Sequence, residues 1–226
     1  MDGAAVILAG GASERMGQEK ALLSLGGETL IERALRQLAP RFCETILSVA
    51  AAGASSALAL AVKRFERESG HTVRLVEDRF ANGGPLAGID AALNATEHSA
   101  VFVIAVDLPG IFLPLVERLW AAAEEPDVLG CVPSFGGRTH PTYAAYRREI
   151  LAAVSEQRER GVLRAQALAE ISGVRVLDLD SPCLQAELLG DVPPGKREAV
   201  LQGVFRNLNS PADYDLWREL NRGSES

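Results

Sequence analysis

A chain of 226 residues fits one large α/β domain, and 47% hydrophobic residues are ample for a buried core. The net charge of −7 argues against a nucleic-acid partner, although a local basic loop and a metal can still hold a nucleotide. Cys43, Cys131 and Cys183 are widely spaced, odd in number and without a C-x-x-C pair, which points to reduced thiols in a cytoplasm, not to a disulfide framework or a zinc site.

The first apolar run, residues 4–8, reads as a buried strand. No basic region precedes it, so no secretory signal is expected, and no stretch approaches the ~20 apolar residues that cross a bilayer. The run breaks into Gly10-Gly11 and continues through Arg15 and Gly17 to Lys20. Glycines let backbone N–H groups cradle an anion, while Arg15 offers a fork of donors and Lys20 a point charge. A lone Gly-Gly would be an ordinary surface turn; the preceding buried strand and the two cations favour phosphate. The loop is not a Walker loop, because two residues separate Gly17 from Lys20 and Ala21 follows. Adjacent Gly10 and Gly11 also exclude G-x-G-x-x-G.

A helix is expected over 29–38, stopped by Pro40, then a strand over 44–50 and a helix over 54–68 capped by Gly70. A short strand over 73–76 ends at Glu77-Asp78. Next comes Gly83-Gly84-Pro85-Leu86-Ala87-Gly88, with Pro85 suited to the first turn of a helix over 86–96. Gly88 inside that helix costs up to ~1 kcal/mol relative to alanine, so a close contact is expected there, with packing and ligand as equal candidates. Residues 100–106 form the clearest central strand, ending in Asp107-Leu108-Pro109. A carboxylate at such a strand end is either a turn cap or a Mg²⁺ ligand, and Mg²⁺ takes one or two carboxylates with phosphate oxygens and water.

A helix over 112–123, strands over 128–132 and 139–146, helices over 147–155 and 161–170 around a charged bend, and a strand over 174–179 follow. Residues 180–200 are expected as a surface excursion. Residues 204–211 close the sheet, with Asn207 and Asn209 on one side of the strand end and Ser210-Pro211 opening a last helix. One domain is expected over 1–222, with a frayed tail at 223–226. Alternating strands and helices on short links predict a mostly parallel sheet, whose ligand lies beyond the carboxyl ends of the strands. That rule gathers the loops 10–20, 77–84 and 107–110 on one edge.

Leu8-Ala9-Gly10-Gly11, Arg15-Met16-Gly17, Lys20 and Gly84-Pro85-Leu86-Ala87-Gly88 resemble the motifs of the molybdenum cofactor guanylyltransferases. The resemblance implies a three-layer α/β/α Rossmann-like nucleotidyltransferase fold. It implies transfer of GMP from GTP to molybdopterin with release of pyrophosphate, using Mg²⁺ or alternatively Mn²⁺ held by Asp107. Lys20 and Arg15 would then neutralise the leaving pyrophosphate. Leu8, Ala9, Gly10, Gly11, Asp78, Pro85, Leu86 and Gly88 would surround the nucleotide. Arg138, His140, Arg164, Asn207 and Asn209 would face the acceptor. Proteins of molybdenum insertion and molybdoenzyme maturation are the partners it suggests. Two departures stand out: Val49-Ala50-Ala51-Ala52 lacks the family's asparagines, and Glu19 stands where Asp is usual. A related CTP-dependent transferase, a sugar- or polyol-phosphate nucleotidyltransferase and a regulatory nucleotide-binding module without turnover are the alternatives.

Overall fold

The computed structural model describes residues 1–10, 19–51, 53–80, 83–208 and 213. Gly11, Arg15, Gly17, Asn209 and the expected final helix lie outside the described residues. The helices are α1 (Leu30–Leu38), α2 (Ser56–Ser69), α3 (Gly84–Ala95), α4 (Leu113–Ala123), α5 (Leu151–Glu159), α6 (Pro182–Leu188) and α7 (Pro194–Val204). The strands are β1 (Ala4–Leu8), β2 (Ser24–Leu25), β3 (Glu28–Thr29), β4 (Glu44–Val49), β5 (Arg74–Glu77), β6 (Ala100–Ala105), β7 (Gly130–Phe135), β8 (Arg138–Thr139), β9 (Tyr143–Arg147) and β10 (Val174–Asp178).

The main sheet runs β10-β7-β9-β6-β1-β4-β5, with β8 paired to β7. It is parallel except at β9, which runs antiparallel to both β6 and β7, and at β8, which runs antiparallel to β7. Period-two alternation explains why the central strands are apolar throughout. Ala5 and Ile7 of β1 enter one core with residues of α1, α2, α4, α6 and α7, while Ala4, Val6 and Leu8 enter a second with α3 and α5. The molecule is therefore a three-layer α/β/α sandwich.

Local chemistry places the elements. Thr29 and Glu32 form a reciprocal capping box at the start of α1. The Ser55 hydroxyl accepts from Leu58 N at the start of α2 and itself donates to Glu19. Gly70, at φ 74°, ends α2 in the left-handed conformation expected of it.

Four expectations are corrected. Residues 180–200, expected as a surface excursion, carry α6 and most of α7, and although most of them are exposed, Leu184 and Leu189 enter the core. Pro182 and Pro194 both sit in first helical turns, where the missing N–H costs nothing. Residues 205–208 are not a strand: Val204 ends α7 and Leu208 N donates to the Asp107 carbonyl at 2.9 Å. The bend at 156–160 is largely the last turn of α5, and the helix expected over 161–170 is a 3-10 segment at Ala165–Glu170.

Candidate active site

The carboxyl ends of β1, β4, β5 and β6 open into a cleft of about 150 Å³. It is lined by Leu8, Ala9 and Gly10 after β1, Lys20, Ser48 on β4, and Asp78 after β5. Gly84, Pro85 and Gly88 of α3 and Ala105, Val106 and Asp107 after β6 complete it. Hydrogen bonds stitch its floor: Ala9 N to Ser48 O at 2.8 Å, Val106 N to Leu8 O at 3.0 Å, and Asp78 N to Val49 O at 2.9 Å.

Lys20 follows Glu19 into a 3-10 turn, and its Nζ donates to Asp107 Oδ2 at 3.0 Å across 87 residues of sequence. Both side chains stay partly exposed, so this pair contributes little to stability; its meaning is that a cation and a carboxylate share one cleft. Mg²⁺ binds one or two carboxylates and completes its shell with phosphate oxygens and water. Asp107 in a phosphate-sized cleft fits that donor set. No group of three or more His, Cys, Asp or Glu side chains gathers to hold a metal among the described residues.

Asp78 is half-buried, and burial lifts its carboxyl above the usual range despite a 2.9 Å hydrogen bond from Ser48 Oγ. Gly10 and Gly88 leave room for it. A Cβ at Gly10 would lie 2.9 Å from Asp78 Oδ2, and one at Gly88 would lie 2.5 Å from Ser48 Oγ and 2.9 Å from Leu8 Cδ2. Helix packing and cleft access thus both require glycine at position 88. Ser48 was not among the sequence candidates; its signal was one polar residue inside an otherwise apolar strand end.

The remaining candidates lie elsewhere. Leu86 is fully buried in the second core and its side chain does not line the cleft. Arg138, His140, Arg164 and Asn207 are not lining residues either. His140 stacks on Phe205 with ring centroids 4.0 Å apart, and its Nε2 is buried without a hydrogen-bond partner; burial lowers its pKa. Arg164 is exposed and paired with Glu170. Asn207 is exposed beyond α7, not at a strand end.

A family model described as "MobA-like NTP transferase domain" matches residues 5–171. The chain belongs to this family. It is accordingly a nucleotidyltransferase, and its similarity extends past the matched region. A probable molybdenum cofactor guanylyltransferase of Pelotomaculum thermopropionicum is 34% identical over 98% of this chain and 94% of its own length. A molybdenum cofactor guanylyltransferase of Rhizobium johnstonii is 32% identical over 97% of this chain and 94% of its own. Among solved structures, molybdopterin-guanine dinucleotide biosynthesis protein A of Archaeoglobus fulgidus shares the fold at TM-score 0.72 and 20% identity, covering 97% of this chain and 98% of that one.

Proposed function

We propose that the protein transfers GMP from GTP to the terminal phosphate of molybdopterin, releasing pyrophosphate. The observation that carries this reading is the 3.0 Å approach of Lys20 Nζ and Asp107 Oδ2 in a cleft shared with Gly10, Asp78 and Gly88. The names of the curated relatives supply the nucleotide and the acceptor.

The acceptor phosphate is already an anion, so no strong general base is required. The barrier is alignment and charge build-up, which oriented N–H groups and cations reduce. Backbone at Leu8, Ala9 and Gly10, with Gly11, would cradle the nucleotide. Lys20 and Arg15 would offset charge on the departing pyrophosphate. Asp78 would accept from the nucleoside, and Pro85 and Gly88 would wall its side of the cleft. Asp107 would hold Mg²⁺, which when bound supplies Lewis-acid charge and a template for the phosphates.

Arg138 and His140 would meet the acceptor. Ile104 of β6 pairs with Tyr143 of antiparallel β9, and Ala105 N donates to Thr142 O at 2.9 Å, so the turn before β9 borders the edge that carries Asp107. The three free cysteines support a reducing compartment, the cytoplasm, and no helix among the described residues is long and apolar enough to cross a membrane. Proteins that insert molybdenum or mature molybdoenzymes would supply the acceptor or take the product.

Pyrophosphate release from GTP or CTP, with molybdopterin and Mg²⁺, tests the reading. Release with GTP is expected, with Asp107→Ala lowering kcat at least about 100-fold. Turnover of CTP alone, or full activity in Asp107→Ala, would overturn it.

A further inference from the structure

Ser48 carries a polar side chain into the lining of the cleft that the sequence reading did not single out. On β4, Leu47 and Val49 enter one core, and Ile46 enters the other, toward α3. Ser48 alternates onto the face of Ile46 and is 1% exposed. A hydroxyl that deep needs a partner, and Ser48 Oγ donates to Asp78 Oδ1 at 2.9 Å. Backbone bonds hold both members of the pair: Ser48 O accepts from Ala9 N at 2.8 Å, and Asp78 N donates to Val49 O at 2.9 Å. Two glycines on separate elements are shaped around the same carboxylate. A Cβ at Gly88 would come within 3.3 Å of Asp78 Oδ1, and one at Gly10 within 2.9 Å of Oδ2.

We propose that Ser48 is the positioning residue of nucleotide recognition, its hydroxyl fixing the Asp78 carboxylate so that Oδ2 accepts an N–H or O–H of the nucleoside. The inference rests on the nucleotidyl-transfer reading and adds to it the group that orients the nucleoside contact. One carboxylate oxygen is satisfied from below by a buried strand, and the other faces a cleft that Gly10 keeps open. A carboxylate fixed in this way is an acceptor-only group of set direction, and such a group rejects ligands that bring no donor to it.

Equilibrium titration of the full chain in Mg²⁺ compares GTP, ribose 5-triphosphate and inorganic triphosphate. Ser48→Ala is expected to weaken GTP about tenfold, the loss typical of one hydrogen bond to a charged group. Inorganic triphosphate, which has no nucleoside, should bind the variant as it binds the wild type. Asp78→Asn should also weaken GTP, and adding Ser48→Ala to it should cost nothing further, because the hydroxyl acts only through that carboxylate. If the Ser48→Ala loss persists with ribose 5-triphosphate, the donor is a ribose hydroxyl; if it vanishes there, the donor is a base N–H. Equal losses for GTP and inorganic triphosphate, or additive losses in the double variant, overturn the proposal. Turnover with molybdopterin is measured separately: its failure strikes the transfer reaction, whereas this inference stands or falls on binding without acceptor.

Discussion

Asp78 sits between opposed influences. Burial raises its pKa from the ordinary 3.8, and the Ser48 hydroxyl only partly offsets this. A folded aspartate that keeps its proton more readily than the unfolded chain loses stability as pH rises from the ordinary value through the raised one. The ionised carboxylate is therefore a cost at neutral pH, borne for binding. Asp78→Asn is expected to melt at a higher temperature than the wild type at pH 7 while binding GTP more weakly. Thermal melts beside GTP titrations check this, and a lower melting temperature would refute the burial argument. At this scale the sequence was informative wherever a residue followed a strand on the ligand edge, as Lys20, Asp78 and Asp107 do. Ser48 stayed hidden because a serine inside a strand looks ordinary until its partner, 30 residues away, is known. The strand expected beneath Asn207 does not form; Asn207 instead follows α7, next to the Leu208 amide that bonds the Asp107 carbonyl.

Among the elements, α3 shows how packing and binding constrain one position together. Alanine at position 88 would gain up to ~1 kcal/mol of helix propensity. Its Cβ would also sit 2.5 Å from Ser48 Oγ and 2.9 Å from Leu8 Cδ2, and overpacking of that kind costs about 1–3 kcal/mol. Overpacking wins, so Gly88→Ala should lower the melting temperature and weaken GTP binding by displacing Ser48 from Asp78. A melting temperature above the wild type's would show that β4 and α3 can part at no cost. β1, β4, β5, β6, β7, β9 and β10 and helices α1 to α4 were legible because strong periodicity, capping residues and Pro or Gly stops agreed, whereas the two-residue strands β2, β3 and β8 are too short to show a pattern. The helices after residue 180 were not. The sequence Pro-Gly-Lys-Arg-Glu-Ala-Val-Leu-Gln-Gly-Val of α7 carries few apolar positions, and only Leu201 and Val204 are fully buried in it.

Across the whole molecule, the loop that carries Asp107 is held from two directions. Arg33 of α1 donates to Pro109 O at 3.2 Å, and Leu208 N donates to Asp107 O at 2.9 Å. Gly110 touches α7 backbone to backbone: a Cβ there would lie 2.6 Å from both Gly203 O and Val204 Cα. Neither atom belongs to a side chain that can swing away. Gly110→Ala should therefore cost about 1–3 kcal/mol and lower kcat, since the contact lies three residues from Asp107. Thermal melts and steady-state kinetics check the pair of effects; unchanged stability would mean that α7 can retreat freely.

The clamp at Gly110 and Leu208 also orders events during synthesis. Every described side chain that lines the cleft has been made once Asp107 leaves the ribosome. The amide that secures the Asp107 carbonyl arrives a hundred and one positions later, with Leu208. A growing chain thus holds every described side chain of this cleft long before the backbone beneath its carboxylate is fastened, and the clamp closes only after Leu208 has been added.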